Sequence, residues 1–114
     1  ELAGADFQNA QLTQAIFVEA QISQACFKDA DMRQCLLLRA NAQQASFAGA
    51  QLDEADFSHA DLREADLRGA SMHRTRLHGV QDQGAVFTDR KRALESDAEL
   101  LAAEQWQPRH IKAV

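Results

Sequence analysis

His59 and His78 lie nineteen residues apart, with Asp56 just upstream of the first. Two imidazoles and a carboxylate are a ligand set that zinc accepts when a fold brings them together. Nothing in their spacing demands a metal, and they read as solvated histidines, as do His73 and His110. A nucleophilic cysteine needs exposure and a base, whereas Cys35 stands in a place that alanine fills on either side of it. Cys26 and Cys35 make no disulfide framework, and the chain fits a reducing, cytoplasmic compartment. No glycine-rich phosphate loop and no nucleophile elbow occur. The expectation is a protein without catalytic residues, metal or cofactor, and without a signal peptide or membrane span.

What the 114 residues do carry is a period of five. Every fifth residue from Ala5 to Ala70 is alanine or Cys35, and the residue two places later is nearly always Leu, Phe, Ile or Met. An α-helix would spread that pattern around its whole circumference. In extended chain the first and third residues of each unit share a face. Five is odd, so a corner must restore the phase at each repeat. All five glycines, Gly4, Gly49, Gly69, Gly79 and Gly84, fall two places after the large residue, where a corner requires positive φ. Four sides close a coil of twenty residues. The interior ladders are Leu2/Ile22/Ala42/Leu62, Phe7/Phe27/Phe47/Leu67, Leu12/Met32/Leu52/Met72 and Phe17/Leu37/Phe57/Leu77, which define sides one to four. The expected fold is an all-β solenoid of about four coils over residues 1–89.

Asp82 falls where a buried apolar residue belongs, so the prism should loosen there and return to register at Ala85-Val86-Phe87. Ser96-Asp97-Ala98-Glu99 opens a helix whose stripe is Leu94, Ala98, Leu101, Ala102 and Trp106. The helix, roughly Asp97 to Gln105 or begun earlier near Arg90 within a capping segment 90–107, should lie over the last coil, with 108–114 a flexible tail. The array is already in phase at Leu2 with no counterpart cap before it. An open coil end invites stacking, so the reading is the C-terminal domain of a longer protein, or an end buried in a dimer.

Ala5-Asp6-Phe7, Ala55-Asp56-Phe57, Ala60-Asp61-Leu62 and Ala65-Asp66-Leu67 match the A-(D/N)-(L/F)-x-x unit, and over two thirds of its length the chain closely resembles the pentapeptide-repeat family. The resemblance implies a right-handed quadrilateral β-helix. Similar modules occur as C-terminal parts of bacterial effectors and adaptors of secretion machineries, which implies export as one context. Some family members are acidic rods that mimic DNA and occupy gyrase.

Residues twenty apart stack, so the surface reads in columns. On the fourth side Ile16 lies beside Leu36 and Val18 beside Leu38, at outward places that polar residues usually take. Such a patch marks a contact surface for a protein partner, an adjacent domain or a second copy. On the third side Thr13, Arg33, Asp53 and His73 alternate in charge, which suits pairing between neighbouring strands. The array through Asp89 has 13 acids and 7 bases, a net of −6, with Asp53, Glu54, Asp56, Asp61, Glu64 and Asp66 crowded together. Arg63, Arg68, Arg74 and Arg76 interrupt that row. A DNA mimic that inhibits or protects gyrase is therefore the second reading. Direct nucleic-acid binding is not expected, since the surface lacks aromatic platforms and Arg90-Lys91-Arg92 reads as charge around a helix start. The preferred reading is a non-enzymatic, rigid interaction or spacer module.

Overall fold

The structure, a computed structural model, describes residues 1–106. Its regularity begins at the corners. Every fifth residue from Gly4 to Gly84 has φ between 56° and 77°, twelve of them residues other than glycine. None of the twelve is β-branched, the class for which left-handed backbone is most strained. Each corner closes by a bond from the small residue back to the large one three places earlier, as in Ala10 N–H to the Phe7 carbonyl at 3.0 Å. A positive φ at the third residue and the i to i+3 bond make these turns of type II character.

The corners throw short sides into parallel pairing with a register of twenty. Bridges run from Asp6 to Cys26, Cys26 to Ser46, and so on through Asp61 to Gln81. One pair is long enough to form strands, β1 (Asp66–Leu67) against β2 (Val86–Phe87). The return to register at Val86 thus matches expectation. Asp82, half-buried at an inward place, is neutralised by Arg90 at 2.7 Å, whose guanidinium also lies over the Phe87 ring.

Inside, the central residues are buried from Phe17 to Leu77 and the small slots from Ala25 to Thr75. Phe7, Phe27 and Phe47 stack with centroids 5.0 and 5.1 Å apart, and Phe17 and Phe57 meet the stack edge-on. Cys35 and Thr75 occupy small slots of the same column. Each satisfies its polar atom on a carbonyl of an earlier coil, Cys35 on Leu12 at 2.9 Å and Thr75 on Leu52 at 2.7 Å. Burial pushes the Cys35 thiol up to about 11, in keeping with a core residue.

The C-terminal end differs from the expectation. Within residues 90–106 the helix is short and does not lie across the last coil. After Phe87 the chain continues the winding, with Leu94 bridged to Arg76 eighteen residues back rather than twenty. Side-chain oxygens replace the next coil's carbonyls: Thr88 Oγ1 accepts from Gly69 N–H, Asp89 Oδ2 from Met72 N–H and Ser96 Oγ from Gly79 N–H. Arg90–Arg92 makes a 3-10 turn, and only Ala98–Glu104 is an α-helix, α1, capped by Asp97, which accepts from Leu100 N–H. α1 stands beside the fourth side. It buries no residue, and Leu94 and Trp106 of the expected stripe are exposed. A seven-residue helix has too few turns to cover the prism end, so polar caps close the backbone edge instead. Residues 108–114 lie outside the described residues. Among the described residues no helix is long and apolar enough to cross a membrane.

Candidate functional site on the fourth face

The fourth side carries two different surfaces along its length. Its outer column is Ile16, Leu36, Asp56, Arg76 and Leu94, each bridged to the next. At the N-terminal end Ile16 is 72% exposed, with Val18 and Leu36 exposed and Leu38 half-buried beside them. The apolar patch read from the sequence is therefore contiguous and accessible. Towards the C-terminal end the column turns polar and α1 stands against it. A cleft of about 550 Å³ separates helix and face, with Leu38, Arg39, Arg76, Leu94 and Leu100 among its lining.

Two histidines form the cleft's polar corner. The ladder places them: His59 N–H donates to the His78 carbonyl at 2.8 Å, and their ring centroids are 5.1 Å apart. The His59 ring lies over Gly79, where a Cβ would stand 2.5 Å from Nδ1. His78 is buried. Its Nδ1 accepts the Asp97 N–H at 3.1 Å, and its Nε2 lies 2.7 Å from Glu104 Oε1. The same Glu104 oxygen is 3.1 Å from His59 Nε2. These contacts, that of His78 foremost, hold the Glu104 carboxyl below its ordinary value. Asp56, the third member expected from sequence, lines the cleft but accepts from Ser58 N–H and Oγ. Glu104 takes its place. Nothing periodic announces Glu104, because it enters from outside the array.

The acidic residues do not form a row. Asp61 and Asp66 each take a two-pronged bond from the arginine two places on, Arg63 and Arg68. Glu54 accepts from Gln34 and Glu64 from Gln44, at stacked corners. Asp53 accepts His73 N–H at 2.9 Å. The charge alternation expected up the third side is not the pairing found there. Arg33 turns to Asp31 of its own side, at 2.7 Å. An Asp-x-Arg unit places both side chains outward on one side, separated by one inward residue, so the arginine reaches its neighbour before the next coil.

A search of the curated proteins found no match. Among solved structures, a pentapeptide repeat protein, Rfr23, from the cyanobacterium Cyanothece 51142 is similar at 26% identity and a TM-score of 0.71, over 73% of this chain and 57% of that one. A pentapeptide repeat protein from the Arabidopsis thaliana thylakoid lumen is similar at 30% identity and a TM-score of 0.59, over 75% of this chain and 59% of that one. The matches thus span less than two thirds of those proteins' lengths. A family model described as the pentapeptide repeat region matches residues 1–87. That span covers the whole run of left-handed corners and twenty-residue bridges, and on this agreement of pattern, backbone and family model the chain belongs to the pentapeptide-repeat family.

Proposed function

We propose that this chain is a rigid, non-enzymatic module for protein contact, a spacer of about four coils that docks a partner or adjoining domain through Ile16, Val18, Leu36 and Leu38. The observation that carries this reading is Ile16, 72% exposed and bridged to exposed Leu36 in the regular part of the array. The mechanism is geometric. Coil-to-coil hydrogen bonds fix the spacing of the four side chains before any partner arrives, so docking orders little of the chain. The gyrase reading has no support of this kind, because Asp61 and Asp66 are each neutralised by an adjacent arginine and the remaining acids are spread over several sides.

The test is Ile16→Asp together with Leu36→Asp. Both side chains point away from the core, so the fold should survive, losing about 1 kcal/mol because the two new carboxylates stack on each other and on Asp56. Photo-crosslinkers at position 16 and, as the control, at Gln8 on the opposite side should give different products in the native host. The expected result is a defined partner or dimer band from position 16 that the double aspartate variant, crosslinked from position 18, loses. Identical products from both positions, or a band that survives the double variant, overturns the proposal.

A further inference from the structure

Three donors from separate parts of the chain converge at the rim of the cleft, and each reaches it for a different structural reason. His59 is a corner residue, His78 an outward residue of the next coil, and Glu104 the last residue of α1. One ligand atom from each lies within 4.8 Å of the others. We propose that His59, His78 and Glu104 form a binding site for one divalent ion of the zinc class, open to the cleft on its remaining side.

Distance, rigidity and donor chemistry support the site. Ligands held at about 2.0–2.2 Å in a tetrahedron lie roughly 3.3 Å from one another. Glu104 Oε1 is already 3.1 and 2.7 Å from the two imidazole nitrogens, and the three ligand atoms span no more than 4.8 Å, so an ion could enter by a small outward movement of α1 and a turn of the His59 ring towards His78. The two histidines are fixed by the solenoid ladder and by the space left at Gly79, so they need little further ordering. Two imidazoles and one carboxylate favour zinc, cobalt, nickel or copper over magnesium or calcium, which take all-oxygen sets. The cleft leaves room for water as a further ligand, the arrangement of an open site. The flanking charges are mixed: Arg39, Asp56 and Arg76 on the solenoid side, and Glu95 and Asp97 opposite them.

One contact sets the cost of loading and supplies a signature. Asp97 N–H points at His78 Nδ1, which keeps the ring proton on Nε2 while no ion is bound. An ion at Nε2 displaces that proton, and the neutral ring then carries it on Nδ1. Two N–H donors would face each other, so the Asp97 amide must turn to solvent on loading. Asp97 retains its side-chain cap on Leu100 meanwhile. Metal binding is thus coupled to a tautomer exchange at His78 and to a shift at the start of α1.

The experiment is titration of the full chain with zinc chloride alone, followed by calorimetry and by nitrogen-15 spectra of the histidine rings. His59→Ala, Glu104→Ala and their double variant are compared, since both residues are accessible and lie outside the core. The expected result is one equivalent of zinc per chain, an affinity reduced at least about tenfold in either single variant, and transfer of the His78 ring proton from Nε2 to Nδ1. No binding at millimolar zinc overturns the proposal. So does binding undiminished in the double variant, which would place the ion at Cys26, His73 or His110, and so does a His78 proton that stays on Nε2 as zinc is added.

Discussion

Asp31 shows how much a single outward residue can contribute to a prism whose faces are mostly solvated. It is buried, takes both prongs of Arg33 at 2.8 and 2.7 Å and receives the Arg33 N–H. The side-chain bond to Arg33 is the largest cause of its carboxyl lying at about 2, down from 3.8. A depressed folded-state value means that the pair stabilises the fold above pH 3.8 and that this contribution disappears as the pH falls through 2. Screening by solvent around the half-exposed arginine reduces the effect to about 1 kcal/mol. Asp31→Asn should therefore melt below the wild type at pH 6, with the gap closing between pH 4 and pH 2. A gap that stays constant through that window would show that packing, not charge, fixes the residue. Asp61 and Asp66 are shifted in the same direction by Arg63 and Arg68, so the wild type itself should lose further stability as the pH falls below the ordinary carboxylate range.

At the scale of the element, the last winding depends on Asp89. Its carboxylate accepts the Met72 N–H at 2.8 Å, where a regular array would supply a carbonyl from the next coil. Removing a charged acceptor from a half-buried N–H typically costs about 1.5–3 kcal/mol. Asp89→Ala should lower the urea midpoint accordingly, while Lys28→Ala, at an exposed outward place without positive φ, should fall within about 0.5 kcal/mol of the wild type. Equal losses would remove the polar cap from the account. The contrast also explains what sequence could and could not disclose. The sides, corners and ladders were readable because a fixed period forces the same inward and outward choice at every repeat, and Ile16 and Leu36 were conspicuous as exceptions to it. The Asp-x-Arg pairs were readable in principle, since three copies occur, but the stacking of columns drew attention across coils. The polar cap and α1 follow no period. Thr88, Asp89 and Ser96 act through single side-chain oxygens, and Glu104 reaches His59 and His78 across a surface contact that no local pattern encodes.

For the molecule as a whole, the coil, not the pentapeptide, should be the unit of stability. Each residue contacts equivalents twenty places away, so stability accumulates by adding interfaces between neighbouring coils. Inserting a second copy of residues 41–60 after Ala60 preserves every column and adds one interface. Inserting a second copy of 41–45 after Ala45 also preserves the inward and outward pattern, but it turns all that follows by one side. Phe27 would then face an alanine in place of Phe47, on which it stacks at 5.1 Å, and the Gln44 to Glu64 corner bond would lose its alignment with Gln24. The twenty-residue insertion should raise both the urea midpoint and the slope of unfolding, because more surface is buried. The five-residue insertion should lower the midpoint despite lengthening the array. If the shorter insertion stabilised as much per residue as the longer one, the side would be the independent unit and the aromatic column a passenger. The fixed placement of the fourth-face patch relative to α1 would then rest on the corners alone.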